Sequence, residues 1–503
     1  MGIKSGLAKI FSHLIYQQSK GWRKNGFPYQ KKIFNRLIFK GKDTLFGKNH
    51  QFAKINSIKD FQTQVPVRDY EEFKGYIEEI KLGHPNVLWP GTPLYLSTTS
   101  GTTSGIKYIP ITRSSIRNQI KSARNALLFY IQATGNVDFL NGKLIFLSGS
   151  PVLNHLEKIP TGRLSGIINH HIPPYLKQNQ VPSYSVNSIE DWEKKMDAIT
   201  DETLDQDLRL ISGIPPWVQM YFDRIYQKTG KLIKDIFPNF SLFVYGGVNF
   251  EPYRNQLSNQ IGKEIDSLET YPASEGFFAF QDQRKDPGLL LLLDSGIFYE
   301  FIPLGELGME GHRRLTINEI QLYENYALVI TTNAGLWAYL VGDTLKFISK
   351  NPYRILVTGR IKHFISAFGE HVIAEEVEGA IQEVAGRFGV TLVDFSVAPQ
   401  VNPPWADELP YHEWFIEFGK APIDIKIFSI ELDKTMQQKN HYYMDLIEGN
   451  ILQPLKIRIL RENAFIDYMK DIGKLGGQNK VPHLTNHREI AQHLEKYNFN
   501  LAG

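Results

Sequence analysis

The sequence predicts an α/β protein of at least two domains, and three observations carry that reading. Buried-strand patterns and helical stripes alternate through most of the chain, the order that builds mixed sheets covered by helices. At 503 residues the chain exceeds what one hydrophobic core serves. A change of character near Gly359 then separates a strand-rich middle from a second run of helix and strand.

Taken in order, Ile3, Leu7, Ile10 and Leu14 fall at helical spacing. Lys4 and Lys9 interrupt them, so the segment lacks the unbroken apolar run of a signal peptide. Residues 1–42 carry ten Lys or Arg and no Asp or Glu. That block reads as the solvated face of an amphipathic helix, with a basic arm for membranes or nucleic acid as the alternative. Thr112 is predicted to N-cap a helix whose face is Ile116, Ile120, Ala123, Leu127 and Ile131. Lys143–Leu147 and Ser241–Tyr245 are apolar runs of buried-strand type. Trp217, Met220, Tyr221 and Ile225 form a second helical stripe, and Tyr253, Leu257 and Ile261 a third. Leu289–Leu293 is the longest aliphatic run; it is far short of the ~20 residues that span a bilayer and reads as a strand.

Strand patterns dominate Gly296–Ile348. Beyond Gly359-Arg360, the positions Ile373, Val377, Ala380, Ile381 and Val384 predict an amphipathic helix. Strands at Val393–Ala398 and Trp414–Phe418, a helix, and a strand at Leu455–Leu460 follow. The expected division is 1–358 and 359–503.

Composition bounds the function. With 42% hydrophobic and 22% charged residues the chain is of globular type, and a net charge of +3 gives no reason to expect nucleic acid. There are no cysteines, which excludes disulfides, thiolate metal sites and a cysteine nucleophile, and fits a cytoplasmic setting.

Four stretches are suited to chemistry. Thr98–Pro110 reads T-T-S-G-T-T-S-G-I-K-Y-I-P, joining small hydroxyls, two glycines and Lys107. Glycines let backbone N–H groups converge on anionic oxygens, and the hydroxyls of Ser100, Thr102, Thr103 and Ser104 add short donors, so the stretch suits a polyphosphate. Its spacing, Gly101-x-x-x-Gly105-x-Lys107, is not that of a Walker loop. The bland alternative is a flexible surface turn. Tyr271-Pro-Ala-Ser274-Glu275 sets a hydroxyl beside a carboxylate, and such a carboxylate near a polyphosphate holds Mg²⁺; a solvated loop pair is the alternative. Val341-Gly342-Asp343 suits an Asp at a strand's end accepting bonds from a ribose diol, or capping a turn. Gly477-Gln-Asn-Lys480 offers a lysine in a glycine-led loop, or simply a solvated cation.

This ordered set resembles the adenylate-forming superfamily. Within it, Phe298-Tyr-Glu-Phe-Ile-Pro303, Thr331-Thr-Asn333-Ala-Gly335-Leu and Val341-Gly-Asp343 are similar to the central block of the Gretchen Hagen acyl acid–amido synthetases. Gln453-Pro-Leu-Lys-Ile-Arg458 and Gln478-Asn-Lys480-Val-Pro482 resemble that family's closing block. The resemblance implies a large N-terminal domain of mixed sheets with a barrel-like portion, and a small mobile α+β C-terminal lid. It implies ATP as substrate with Mg²⁺, a small carboxylic acid and an amino acid as partners, and neither nucleic acid nor membrane.

Residue by residue, it places Ser100, Gly101, Thr102 and Thr103 on the phosphates and Tyr271 against adenine. Ser274 and Glu275 fall near the α-phosphate and the metal, Asp343 on the ribose and Arg360 at the hinge. Lys480 enters from the small domain, with Glu275 and Lys480 the catalytic pair. The chain departs from the plant pattern at Ala338 and Leu340, where the relatives have arginines, and Pro272 is unusual in its motif.

The implied reaction is acyl adenylation followed by amide formation. A thiol acceptor such as coenzyme A, or a non-catalytic nucleotide- or acyl-binding relative, are the alternatives. The segment 210–221, with Ile214-Pro-Pro-Trp217, is the expected acyl pocket or else core packing. His170, His171, His363, His371 and His483 are candidate bases by residue type alone.

Overall fold

A computed structural model describes residues 3–499 apart from 101–105, 157, 173–176, 248–249, 285–287, 362–363, 366–371, 402, 405–407, 449–451, 476–479 and 486. The chain divides into two compact units: Met1–Val341 with Leu345–Leu356, and Gly342–Thr344 with Val357–Gly503.

In the first unit, β1 (Tyr95–Ser100) and β2 (Ile106–Ile111) form an antiparallel hairpin. They share a four-stranded sheet with β4 (Asn154–Leu156) and β5 (Ile159–Gly162). A larger sheet has eleven strands. Its parallel part contains β3 (Lys143–Phe146), β6 (Gln180–Val181), β7 (Leu208–Ser212), β8 (Leu242–Gly246) and β9 (Asp266–Pro272). It continues through β10 (Phe277–Phe280), β11 (Leu289–Leu291), β12 (Ile297–Pro303), β13 (Asn325–Thr332), β14 (Tyr339–Lys350) and β15 (Tyr353–Arg360). The spatial order is β12-β13-β14-β15-β11-β10-β9-β8-β7-β3-β6.

Parallel strands need covering on both faces, and this sequence supplies helices between them. Pro215–Thr229 starts with prolines at its first turn, where a missing N–H costs nothing, and Glu251–Ile261 ends on Gly262 at φ +74. Trp217, Tyr221, Ile225, Leu257 and Ile261 enter one core with Ile145, Ile211 and Phe243.

Thr112 caps Arg113–Thr134 as predicted, its side chain accepting from Ser115 N. Of the expected stripe, Ile116 and Ile131 are buried, Ile120 and Leu127 are half-buried and Ala123 is exposed; the buried face also takes in Ser115, Gln119, Ser122 and Ala126. The N-terminal helix Ile3–Gln18 packs on it, with the Tyr16 ring edge-on to Phe129 at 5.3 Å. There Ser5 and Ser12 are buried while Leu7, Ile10 and Leu14 are 61, 62 and 52% exposed. Small hydroxyl side chains on the inner face leave the large apolar ones outside.

The second unit holds the antiparallel pair β18 (Thr391–Gln400) and β19 (Tyr411–Lys420), with β20 (Lys456–Leu460) parallel to β19. A two-residue pair, β16 (Phe364–Ile365) and β17 (Val372–Ile373), precedes them. Helices Ala374–Phe388 and Ile425–Lys439 close a core of Val377, Ile381, Val384, Trp414, Leu432 and Met436.

One buried ion pair ties the first unit's N-terminal helices to the large sheet. Glu300 on β12 is fully buried and accepts from Arg314 Nη2 at 2.7 Å and from Gln62 Nε2 at 3.0 Å. Arg314 also donates to the carbonyls of Gln62 and Val65. Removing one partner leaves the other charge buried, so Arg314→Met is expected to destabilise the first unit by about 3–5 kcal/mol. The double variant Arg314→Met/Glu300→Met should recover most of the loss. Urea unfolding of wild type, single and double variants checks this; a double variant as unstable as the single would contradict it.

Candidate functional site

The hydroxyl-rich stretch is the connection of a hairpin. β1 and β2 pair in register from Tyr95↔Ile111 to Ser100↔Ile106, so the chain reverses between Ser100 and Ile106. Gly101, Thr102, Thr103, Ser104 and Gly105 lie outside the described residues, as does the side chain of Ser100. Lys107 lies on β2, with Nζ 5.4 Å from the centroid of the Tyr70 ring.

The second motif is also a hairpin turn, linking β9 to β10. Pro272 pairs with Phe277, and Ala273 N donates to Gly276 O at 2.8 Å with the reverse bond at 3.2 Å. Gly276 is closely packed: a Cβ there would lie 2.5 Å from Ile297 Cδ1. Ser274 and Glu275 sit at the tip, both half-buried. Tyr271 is buried and its ring meets Phe278 edge-on at 5.0 Å.

Two contacts from distant sequence hold this turn. Ser97 Oγ lies 2.9 Å from Ser274 Oγ, joining the strand that feeds the hydroxyl-rich stretch to the Ser-Glu tip. Gln119, on the helix that follows the first hairpin, donates from Nε2 to Ala273 O at 2.8 Å. Ser97 is fully buried and Gln119 is 2% exposed, so each bond reaches a half-buried turn from a buried side chain. Sequence reasoning singled out neither residue: Ser97 is one of four Ser or Thr residues in Tyr95–Ser100, and nothing local sets it apart.

The parallel order gives the turn its setting. β3, β7, β8 and β9 run the same way as neighbours, so the segments leaving their carboxyl ends share one edge of the sheet. Ligands of open α/β sheets bind at that edge. The expected acyl-pocket aromatic is not there. Trp217 is 4% exposed and packs against Trp192 with ring centroids 4.5 Å apart, inside the core.

In the second unit, Asp343 is 6% exposed and lies within β14 rather than after a strand, which corrects the sequence expectation. Gly342 before it adopts φ +92, a left-handed conformation that glycine tolerates. Ile361 N donates to Gly342 O at 2.8 Å, and Thr358 Oγ1 to Thr344 Oγ1 at 2.9 Å. Residues 342–344 are thus stitched to the segment carrying Gly359-Arg360. Arg360 closes β15, and its side chain is outside the described residues.

Lys480 is exposed, and the chain just beyond it is firmly anchored. Ser396 Oγ donates to Pro482 O at 2.8 Å, and Val397 N to His483 O at 2.9 Å. His483 places Nδ1 2.7 Å from Glu378 Oε1 and Nε2 3.0 Å from Asp394 Oδ1, and stacks on Phe395. Burial alone would lower its pKa; the hydrogen bonds to Asp394 and Glu378, with their charges, outweigh that and raise it to about 10. His483 is therefore a protonated strut and not a general base. His170 bonds to Pro151 O and His171 to the Tyr95 hydroxyl; His363 and His371 lie outside the described residues.

Comparison with known proteins places three family descriptions in order along the chain. The GH3 family N-terminal domain matches residues 17–152, the central domain 290–360 and the C-terminal domain 375–489. A jasmonoyl–L-amino acid synthetase of Nicotiana attenuata, JAR6, is 33% identical over 284 residues, 52% of this chain and 48% of that protein. The chain thus aligns with about half the length of that relative. A second from the same plant, JAR4, is 22% identical over 509 residues, 86% of each chain. Among solved structures, GH3.15 acyl acid amido synthetase superposes with a TM-score of 0.80 at 15% identity, covering 97% of this chain and 96% of its own. A 2-hydroxyisobutyryl-CoA ligase in the postadenylation state gives 0.59 at 13% identity, covering 95% and 94%. The structural likenesses establish an α/β fold shared with those two proteins. No helix among the described residues is long and apolar enough to cross a membrane.

The His483 strut has a pH signature. A folded pKa of about 10 against an ordinary 6.5 means its stabilisation is fully present below pH 6.5 and disappears as pH rises through 10. His483→Phe should cost about 2–3 kcal/mol at pH 6, less than for a fully buried pair because the side chain keeps some exposure. The gap between wild type and variant should close toward pH 10. Denaturant unfolding at both pH values measures it; a gap that does not change with pH would contradict the assignment.

Proposed function

The chain belongs to the GH3 family, and from that premise we propose that it is an ATP-dependent, AMP-forming ligase. It adenylates a small carboxylic acid and passes the acyl group to an amine, an amino acid in the first instance. The observation that supports this reading is the Ser97–Ser274 hydrogen bond, which joins the strand leading to residues 100–105 with the Ser-Glu turn.

The chemistry follows from charge. A carboxylate is inert to amines because its oxygen is a poor leaving group, and AMP is a good one. Attack of the carboxylate on the α-phosphorus loads negative charge onto the phosphate oxygens. Backbone N–H groups and hydroxyls of Ser100, Gly101, Thr102 and Thr103, the Ser274 hydroxyl and the Lys480 ammonium are the donors assigned to that charge. Tyr271 is assigned to the adenine and Asp343, as an acceptor, to the ribose diol. Arg360 marks the start of the 359–503 lid, and 1–358 holds ATP and acyl substrate.

Glu275 suits Mg²⁺ as a single hard oxygen donor. Among the described residues no three acidic or histidine side chains gather into a metal cage, and Mg²⁺ typically takes one or two carboxylates, waters and phosphate oxygens. When bound, the ion supplies positive charge against the phosphates. A chain without cysteine suits the reducing cytoplasm.

Glu275→Ala and Lys480→Ala should each lower adenylation by about 10²–10³-fold with the fold retained. Asp343→Ala should mainly weaken ATP binding, by about tenfold, the loss of ~1.4 kcal/mol. The measurement is carboxylate-dependent pyrophosphate release, screened over carboxylates with an amino-acid mixture and with coenzyme A, followed by mass detection of products. Amide is the expected product. Thioester without amide would overturn the acceptor assignment, and ATP binding without pyrophosphate release would overturn the enzyme.

A further inference from the structure

The carboxyl end of β3, three strands from the Ser274–Glu275 turn, carries a second polar cluster. Lys195, on the first turn of the helix Trp192–Thr203, is 2% exposed. Its Nζ donates to Ser148 O at 2.9 Å and to Asn187 O at 2.7 Å. An ammonium has three protons, so one remains. Arg163, at the end of β5, is half-buried and runs beside the next residue, Gly149. A Cβ on Gly149 would lie 2.9 Å from Arg163 Cδ, so the arginine side chain passes close over this glycine. The Trp192 indole N–H, three residues before Lys195, is buried with no partner among the described residues. The Lys195 Nζ stands 5.8 Å from that ring's centroid.

Two cations share this loop, and no described carboxylate answers them. Asp191 is engaged in capping Lys194 N, and Glu202 accepts from Ser183 N and Oγ. Asp197 and Asp201 pair with Arg224 and Lys228. The Arg163 guanidinium makes no hydrogen bond or ion pair within the described residues. Burial lowers the pKa of both groups, and Lys195, pressed also by the charge of Arg163, falls to about 8. A buried and a half-buried like charge without a counter-ion are an unfavourable arrangement that a bound anion reverses.

We propose that Arg163, which passes beside Gly149, and Lys195, which donates to the carbonyl of Ser148, form a binding site for a carboxylate carried by one of the substrates. The site stands at the sheet edge where ligands of such folds bind. A guanidinium fork and an ammonium that feels its charge are the donor types that bind a carboxylate. This inference rests on the proposed ligase reading only in calling the ligand a substrate: ATP's phosphates are assigned to the β9 end, which leaves a carboxylate for this one. Its source is either the acceptor amino acid or a second carboxyl group on the acyl acid.

The test is phenylglyoxal labelling of Arg163 in the full-length protein, read by peptide mass spectrometry without ATP or turnover. A wrong reading of the reaction therefore leaves its result standing. The protectors are a mixture of L-amino acids, the same amino acids as amides, glutarate, and inorganic phosphate. Carboxylates should slow labelling about tenfold, equivalent to ~1.4 kcal/mol, and Lys195→Met should abolish that protection. Protection by amino acids but not their amides identifies the acceptor as the source; protection by glutarate alone identifies the acyl acid. Protection by phosphate alone, or by none of the four, overturns the proposal. Should Lys195→Met fail to fold, the rise in melting temperature with glutarate or amino acids, present in wild type and lost in Arg163→Gln, serves as the second measurement, and an equal rise in both overturns it.

Discussion

The ligase site proposed for this chain depends on a short contact between two serines. Ser97 and Ser274 are far apart in sequence, yet their hydroxyls meet at 2.9 Å where the four-stranded and eleven-stranded sheets approach. A buried hydroxyl without a partner costs about 1–3 kcal/mol, so the fully buried Ser97 holds Ser274 in place. Gln119 on Ala273 O adds a second clamp from the helix following the first hairpin. The Ser-Glu tip is thus held by the same strand and helix that frame the hydroxyl-rich connection.

Buried charge is handled differently in different parts of the molecule. Glu300 and His483 are compensated from several sides, so each locks elements together. Arg354 likewise donates to both oxygens of buried Asp282. Lys195 and Arg163 depart from this pattern, and that contrast points to a ligand there. Full compensation marks structure; its lack in a polar, sheet-edge position marks binding.

Much of the fold was legible from local chemistry. Thr112 as a cap, the apolar runs at 143–147 and 241–245, and the helix after Ile373 all declare themselves through propensity and period. What failed to show was the role of small polar residues in packing. The N-terminal helix buries Ser5 and Ser12 and exposes Leu7 and Ile10, because contact with its neighbour decided the inner face and hydrophobicity did not. Trp217 looked like a pocket residue beside a proline turn, but the prolines start a helix that carries it into the core. Asp343 looked terminal because Gly342 precedes it, whereas the glycine supplies a left-handed kink inside a long strand. The motifs at 100–105, 271–275 and 343 were visible as residue types in order. The serine–serine clamp was not, since nothing local distinguishes Ser97 from its neighbours.

The most direct test is a crystal structure of the full chain with a non-hydrolysable acyl-sulfamoyl adenosine. Adenosine lying along Tyr271 with its ribose on Asp343, and the sulfamoyl group between residues 100–104 and Ser274, is the predicted result. An adenosine bound at any other surface, or those three segments facing separate sites, would contradict the account.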